Sequence, residues 1–292
     1  MPKILVTGIN GFTGKYVSER FIQEGFDVIG MVHSHPKRGQ ICCDLTDKKA
    51  VFESLKAVKP DGVIHLAALS FVGHDQPDEL YKTNVFGTLN LIEAYNEFGS
   101  KDGKVIVSSS ANIYGTPDVD SINESICPAP VNHYATSKVA MEHMVSTWFD
   151  RLPILITRPF NYTGIGQDGK FLVPKIVSHF KEKKEIIELG NLDVYRDFSD
   201  VRDVAEAYFQ LYQSHSTSDI FNICSGRVSS LQDIIFHMNK LAGYQIEVRV
   251  NPKFVRENEI RVLRGSCKKL EALTGFKPSI DIDRTLESMF SA

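Results

Sequence analysis

A tyrosine and a lysine, Tyr134 and Lys138, stand four residues apart at the start of an amphipathic segment covering residues 134–149. Helical residues at this spacing share a face, so we expect the lysine ammonium to lie near the phenol. A neighbouring cation favours the phenolate and is expected to lower the pKa of Tyr134 from about 10, which suits proton transfer near neutral pH. The same spacing also arises by chance on surface helices, so the rest of the chain must decide.

A glycine-rich segment follows the first predicted strand, residues 3–7, and precedes a predicted helix at residues 15–24. Glycines between a strand and a helix let the backbone approach a pyrophosphate, and the helix N-terminus supplies N–H donors. The alternative is a tight turn that requires small residues. The predicted cofactor contacts in this segment are Gly8, Asn10, Gly11, Phe12, Thr13 and Gly14.

The second predicted strand, residues 27–32, does not end in the carboxylate that would bind a ribose 2′-hydroxyl and favour NAD. His33 and Arg38 follow it instead, so we predict NADP(H) as the preferred cofactor, with NAD(H) possible and a solvated polar loop as the alternative. Further along, Asp44 and Leu45 are predicted to contact the adenine. Asp44 is equally suited to cap the helix that begins near Asp47.

Two further predicted strands, residues 62–68 and 104–109, end in small residues. We predict cofactor contacts at Leu66, Ala67 and Ala68, whereas His65 in the same apolar run is expected to be a core histidine with satisfied hydrogen bonds. Asn84, inside the apolar face of a predicted helix at 79–98, is costly unless paired. It either lies near the cofactor, where it would hold a water or a kink, or caps a neighbouring loop.

Ser110 follows the fourth predicted strand, where ligands bind in parallel α/β sheets. Its hydroxyl could donate to a substrate carbonyl oxygen, although serine-rich turns are common. Together with a dinucleotide site, these residues suit hydride transfer to a carbonyl. Tyr134 would protonate the oxygen, Ser110 would polarise it, and Lys138 would lower the tyrosine pKa and hold the nicotinamide ribose. The alternative from another class is a cofactor-binding sensor without turnover.

The alternation of strands and helices over residues 3–158 predicts an α/β fold, a Rossmann-type doubly wound parallel sheet. We expect a dinucleotide-binding domain at 1–160 and a smaller mixed α/β substrate lobe at 161–292, with part of about 196–222 returning to the first domain. The net charge of −3 gives no argument for binding nucleic acid or an anionic membrane. No apolar run reaches the length of a membrane span. Five scattered cysteines favour a reduced, cytoplasmic setting.

The sequence resembles the extended short-chain dehydrogenases/reductases that act on nucleotide sugars. The resemblance covers essentially the whole chain and is carried by residues 7–14, 84–90, 110–115, 134–138 and 158–161. It implies that Ser110, Tyr134 and Lys138 are the catalytic residues and that Asn161 contacts the substrate. It also implies a homodimer, in which the helix near 79–98 and the Tyr134 helix form a four-helix bundle. Met141, Met144, Val145 and Trp148 are candidates for that contact or for the intramolecular core.

Within this family, the C-terminal segments resemble reductases of GDP-linked 4-keto-6-deoxyhexoses. The resemblance implies reduction of the 4-keto group of GDP-4-dehydro-6-deoxy-D-mannose to GDP-D-rhamnose. It places Lys175 and Arg196 at the diphosphate, although each suits a surface salt bridge as well. It places Arg256 and Glu259 at the nucleotide.

The catalytic residues alone would fit other nucleotide sugars and one sister reaction. A dTDP- or CDP-linked substrate and a 4-epimerase activity therefore remain as alternatives. The sister 4,6-dehydratases need carboxylates directly after the serine, where this chain has Ala111 and Asn112.

Overall fold

A computed structural model describes residues 1–70, 76–255 and 261–292 of the chain. The strands of these residues are β1 Lys3–Thr7, β2 Asp27–Val32, β3 Gln40–Cys42, β4 Gly62–His65, β5 Val105–Ser108, β6 Ile154–Pro159, β7 Asn161–Thr163, β8 Ile186–Leu189, β9 Tyr195–Asp200, β10 Asp219–Ile223, β11 Val228–Ser230, β12 Glu247–Val250 and β13 Val262–Leu263. The α-helices are α1 Phe12–Gln23, α2 Lys48–Val58, α3 Pro77–Tyr81, α4 Thr88–Phe98, α5 His133–Ser146, α6 Leu172–Lys181, α7 Val201–Gln213, α8 Leu231–Ala242, α9 Lys268–Thr274 and α10 Ile282–Ser291.

Seven parallel strands form the main sheet in the order β10-β6-β5-β4-β1-β2-β3. The inner strands are apolar and buried on both faces, as expected for a parallel sheet covered by helices on each side. This arrangement confirms the predicted Rossmann-type fold. From β1 the chain continues to β2 and β3 on one side of the sheet, and from β4 it continues to β5 and β6 on the other side. The connections that leave β1 and β4 therefore run in opposite directions and open a crevice at the carboxyl ends of these strands, where ligands bind in this architecture.

Helices cover both faces of the main sheet. On one face, Ile4 and Val6 of β1 pack with α1 and α7, and on the other face Leu5 packs with α2, α4 and α5. Because side chains of a strand alternate in direction, one short strand serves both layers. Met141 and Val145 of α5 are fully buried in this intramolecular core, and Met144 and Trp148 pack against it.

Two smaller sheets lie in the C-terminal part of the chain. Strand β9 pairs with β7, β11 and β13, and β8 pairs with β12. Helices α6, α8 and α10 share a separate apolar cluster with these strands. Two elements of the later chain return to the main sheet: β10 is its edge strand, and α7 packs on one of its faces. The domain boundary at residue 160 remains a prediction.

The long helix predicted at 79–98 is interrupted. Residues Lys82–Gly87 form a π-helical turn between α3 and α4, and Asn84 lies within it. A π-helical turn shifts the backbone register by one residue, and such turns occur frequently at functional sites. No helix in the described ranges is long and apolar enough to cross a membrane.

Candidate active site

The glycine-rich turn packs too closely for side chains. Gly8 adopts a φ of +70°, and a Cβ added to Gly14 would lie 2.3 Å from the Gly8 carbonyl oxygen. A Cβ on Gly8 would lie 3.0 Å from the Cα of Ala67, in the loop after β4. Gly11, at the N-cap of α1, has no side chain with which to cap the helix, and the first N–H groups of a helix suit an anion. These features fit the pyrophosphate of a dinucleotide.

Hydrogen bonds around Thr7 hold the loop after β4 beside this turn. The Thr7 hydroxyl oxygen accepts from the backbone N–H groups of Leu66 and Ala67, at 3.2 and 3.1 Å. It lies 2.7 Å from Nδ1 of His65, whose Nε2 lies 2.9 Å from the Thr88 hydroxyl. Burial, together with Lys138, lowers the pKa of His65 to about 3. His65 is therefore a neutral core histidine with both ring nitrogens paired, as predicted. Ala68 follows directly on the same loop.

The connection between β2 and β3 contains the residues predicted to select the cofactor. His33 and Arg38 are both exposed, and Nε2 of His33 lies 3.8 Å from a carboxylate oxygen of Asp44. Gln40 on β3 was not predicted, yet its amide pairs reciprocally with the amide of Asn10, at 2.9 and 3.1 Å. Gln40 also accepts from the backbone N–H of Lys37. Gln40 therefore fixes this loop against the glycine-rich turn.

Asp44 and Leu45 lie after β3, in the connection to α2. Asp44 accepts from the backbone N–H and the hydroxyl of Thr46, each at 2.8 Å, and these bonds, the backbone one foremost, hold its pKa below the usual value. Asp47, rather than Asp44, caps α2. Asp44 keeps its second oxygen toward His33, and Leu45 is buried against Gly87.

The Asn84 side chain is fully engaged within the protein. Its Oδ1 accepts from the backbone N–H of Leu69, and its Nδ2 donates to the Leu69 carbonyl and to the Ser137 hydroxyl, at 2.9, 3.1 and 3.0 Å. Ser137 donates in turn to the Tyr134 carbonyl. Because both amide hydrogens are used, Asn84 ties the loop after β4 to α5. The geometry agrees with the predicted cap of a neighbouring loop and, in the π-helical turn, with the predicted backbone kink. The cofactor contact of Asn84 remains a prediction.

Ser110, Tyr134 and Lys138 meet at the carboxyl end of β5. Ser110 begins a 3₁₀ turn, Ala111–Tyr114, and its hydroxyl favours the phenolate form of Tyr134 by lowering the pKa of that tyrosine. Asn132 caps α5 by accepting from the backbone N–H of Ala135, which fixes Tyr134 in the first turn of the helix. Lys138 donates from Nζ to the Ser108 carbonyl at 2.8 Å. All three residues are buried.

The expected lowering of the Tyr134 pKa by Lys138 does not occur in this structure. Burial raises the pKa of Tyr134 to about 12, the neighbouring Ser110 hydroxyl opposes this rise, and Tyr162 adds to it. Burial also lowers the pKa of Lys138 to about 8. The prediction was wrong because helical spacing brings the two groups near each other but says nothing about the cost of desolvating them.

Two hydroxyl groups beside this trio were not predicted. The Tyr162 hydroxyl lies 2.7 Å from that of Thr13 in α1, and its ring stacks on Phe12. Tyr162 also raises the pKa of Tyr134, so it lies between the glycine-rich turn and the trio. Ser109 is buried, and its hydroxyl has no hydrogen-bond partner among the described residues. An orphaned buried hydroxyl next to Ser110 fits a polar group of a bound ligand.

The predicted substrate contacts lie on the C-terminal elements. Asn161 is exposed at the start of β7. Lys175 donates to the Glu188 carbonyl at 2.7 Å and lies over the Phe254 ring, and Arg196 donates to the carbonyls of Tyr195 and Arg261. Lys175 therefore contacts Phe254, and Arg196 contacts Arg261. Arg256 and Glu259 lie outside the described residues.

Comparison with known proteins supports this interpretation over the whole chain. A family model for GDP-mannose 4,6 dehydratase matches residues 5–289. GDP-6-deoxy-D-talose 4-dehydrogenase of Aggregatibacter actinomycetemcomitans is 37% identical over 94% of this chain and 91% of its own. GDP-6-deoxy-D-mannose reductase of Pseudomonas aeruginosa is 30% identical over 99% of this chain and 96% of its own.

Two solved structures superpose over nearly the full length. A candidate epimerase from Burkholderia cenocepacia has a TM-score of 0.94 and 41% identity, covering 99% of this chain and 97% of its own. The enzyme abbreviated RMD from Pseudomonas aeruginosa, solved with NADPH, has a TM-score of 0.88 and 30% identity, covering 100% and 98%.

The sheet, the glycine-rich turn and the Ser–Tyr–Lys trio define an extended short-chain dehydrogenase/reductase. It is an oxidoreductase that uses a nicotinamide cofactor and acts on nucleotide sugars. Within that class, the chain belongs to the GDP-mannose 4,6 dehydratase family.

Proposed function

We propose that this enzyme reduces the 4-keto group of GDP-4-dehydro-6-deoxy-D-mannose with NADPH. The observation that carries the proposal is the buried trio of Ser110, Tyr134 and Lys138 at the carboxyl end of β5, next to the glycine-rich turn. The two curated relatives support the GDP-linked 6-deoxyhexose, because both are named for such sugars.

In the proposed reaction, the sugar binds with its 4-keto oxygen between the Ser110 and Tyr134 hydroxyls. Bound nicotinamide supplies the hydride to C4. Tyr134 delivers a proton to the oxygen, while Ser110 donates a hydrogen bond to the same atom. A phenol with a pKa of about 12 is protonated at neutral pH, as a proton donor must be. In the structure Lys138 donates to the Ser108 carbonyl and does not shift the Tyr134 pKa, so we propose that its ammonium stabilises the charge on the tyrosine oxygen in the complex with cofactor and sugar.

The same site disfavours the dehydratase reaction for which the family model is named. Elimination of water needs an acid and a base beside the catalytic hydroxyl. Ala111 and Asn112 follow Ser110 in the 3₁₀ turn, and neither can exchange a proton in the required range. Family membership therefore does not bring dehydratase activity to this chain.

NADPH is the proposed cofactor because the carboxyl end of β2 presents His33 and Arg38 instead of an acid. A guanidinium suits a 2′-phosphate, and the RMD structure contains NADPH. We assign the phosphate contact to Arg38, the adenine contacts to Asp44 and Leu45, and the nucleotide-sugar contacts to Asn161, Lys175, Arg196, Arg256 and Glu259.

The configuration of the product at C4 has two candidates. The resemblance of the C-terminal segments supports GDP-D-rhamnose. The higher identity to a 6-deoxytalose enzyme favours GDP-6-deoxy-D-talose as the second candidate. The two sugars differ only at C4, so the choice depends on the face of the ring that meets the hydride.

The test is NADPH oxidation, followed by absorbance, with GDP-4-dehydro-6-deoxy-D-mannose generated in situ. The matched comparisons are NADH in place of NADPH and the dTDP-linked 4-keto-6-deoxyglucose in place of the GDP-sugar. Stoichiometric oxidation with the GDP-sugar alone supports the proposal, and chromatography of the product against both C4 epimers identifies the configuration. Oxidation with the dTDP-sugar alone would reject the GDP assignment. Interconversion of a 4-hydroxy sugar without net oxidation would instead indicate a 4-epimerase.

A further inference from the structure

The catalytic face of α5 continues beyond Lys138. Tyr134, Lys138 and Glu142 follow one another at intervals of four residues, so they share one face of the helix. All three side chains are buried, and Glu142 is exposed over only 5% of its side chain. A carboxylate at such a position is rare unless it is paired, and the reaction described above does not use it.

Arg158 of β6 pairs with this carboxylate through two nitrogens. Nε lies 3.0 Å from Oε1 of Glu142, and Nη2 lies 2.6 Å from Oε2. The remaining nitrogen, Nη1, donates to the Tyr114 hydroxyl at 2.9 Å, and Tyr114 donates to the Asn222 side chain. A bidentate contact fixes both position and orientation, so Glu142 has a single defined place behind Lys138.

Two effects shift the pKa of Lys138 in opposite directions. Burial lowers its pKa to about 8, and Glu142 acts in the opposite direction by favouring the ammonium. On β4, His65 is neutral, and Arg158 on β6, although paired with Glu142, is not among the groups that shift the pKa of Lys138. The other titratable side chains on elements packed against α5 are Asp78, Glu79, Tyr81, Lys82, Glu93, Tyr95, Glu97 and Tyr114. Of all these groups, only Glu142 shifts the pKa of Lys138.

We propose that Glu142, oriented by Arg158, is a positioning residue that keeps the buried Lys138 in its ammonium form. The pair acts through Lys138 and does not touch the substrate. This assignment rests on the proposed function in one respect, because that function gives Lys138 its part in proton transfer. A buried ion pair is a poor source of stability compared with apolar packing, so a role in tuning a neighbouring charge accounts for its presence at this position.

Substitution Glu142→Gln tests the proposal because it removes the charge and keeps the shape. The readout is the pH titration of the Lys138 ε-carbon resonance in isotope-labelled protein, assigned with Lys138→Met. We expect the pKa of Lys138 to fall by at least about one unit. The alkaline limb of the pH profile of kcat/KM is expected to move to lower pH by the same amount. An unchanged Lys138 titration in a folded Glu142→Gln protein would overturn the proposal.

Three further variants separate tuning from loss of structure. Glu142→Asp retains the charge and is expected to restore most of the Lys138 pKa. Glu206→Gln breaks a different Arg–Glu pair, with Arg20, and is expected to leave the Lys138 titration unchanged. If Glu142→Gln does not fold, the double variant Glu142→Gln/Arg158→Met removes both charges without leaving one unpaired. It is expected to lower the Lys138 pKa as well, and an unchanged value there would equally reject the role.

The titration contains no sugar, so its result is independent of the substrate. A lowered Lys138 pKa in an enzyme that reduces neither keto-sugar would uphold the role of Glu142 and reject only the proposed function.

Discussion

Desolvation dominates the chemistry of individual residues at this site. Tyr134 and Lys138 are both shifted toward their neutral forms, with pKa values of about 12 and about 8. Each group therefore depends on specific partners, Ser110 for the tyrosine and Glu142 for the lysine. In a water-excluded site the electrostatic energy of these few contacts is larger than it would be at the surface, because solvent no longer screens them.

Replacement of Tyr134 by phenylalanine removes the proton donor and keeps the ring. We expect kcat for reduction of the keto-sugar to fall by about 100-fold or more, as is usual when a general acid is lost. NADPH affinity, measured by fluorescence titration, is expected to change little. Tyr244→Phe is the matched control, since this tyrosine donates to the Lys184 carbonyl on the C-terminal lobe. Equal turnover by the two variants would remove Tyr134 from the mechanism.

The glycine-rich turn shows how elements, rather than single residues, shape the cofactor site. The turn brings α1 onto β1 so closely that Gly14 has room only for a hydrogen. The helix N-terminus can then approach a phosphate without an intervening side chain. Thr7 holds the neighbouring loop and Gln40 holds the next one, so three loops converge on the same end of the sheet.

Substitution of Gly14 by alanine is expected to disrupt this turn. The added Cβ would lie 2.3 Å from a backbone oxygen, so the turn must open. We expect NADPH binding to weaken by about tenfold or more, equivalent to about 1.4 kcal/mol. Gly169→Ala is the control, because a Cβ there meets nothing within 4 Å. Fluorescence titration with NADPH checks both, and unaltered affinity in Gly14→Ala would show that α1 does not approach the phosphates.

The elements were predictable where one physical signal determines them. The buried strands follow from short apolar runs, and His65 was correctly placed in the core because it interrupts such a run. A kink at Asn84 was one of the predicted possibilities, but the partners of its side chain, Leu69 and Ser137, were not predictable because they are distant in sequence. Gln40 was missed for the same reason. The position of Glu142 on the catalytic face of α5 could have been predicted, because it continues the four-residue spacing of Tyr134 and Lys138.

At the scale of the whole molecule, we propose that the enzyme is a homodimer built around α4 and α5. Phe86, on the π-helical turn that packs against α5, is 58% exposed. A large exposed aromatic side chain is a typical anchor of an interface. Met141 and Val145 do not contribute, because they lie inside the subunit.

Substitution of Phe86 by lysine is expected to shift the protein from dimer to monomer, because a charge would have to be buried at the contact. Phe236→Lys changes an equally exposed phenylalanine, 61% exposed on α8, and is expected to leave the dimer intact. Size-exclusion chromatography with light scattering gives the mass of each variant. A monomeric wild-type enzyme, or a dimeric Phe86→Lys variant, would contradict the arrangement.

The return of α7 and β10 to the main sheet has a consequence for folding during translation. The face carrying Ile4 and Val6 lacks α7 until translation reaches residue 213 of 292, and strand β6 lacks its outer neighbour until residue 223. For most of its synthesis the nascent chain therefore exposes an open sheet face, and between residues 159 and 223 it also exposes an unpaired apolar strand, which are the features that promote aggregation. A chain that stops short of β10 is expected to be a chaperone substrate rather than a smaller working enzyme.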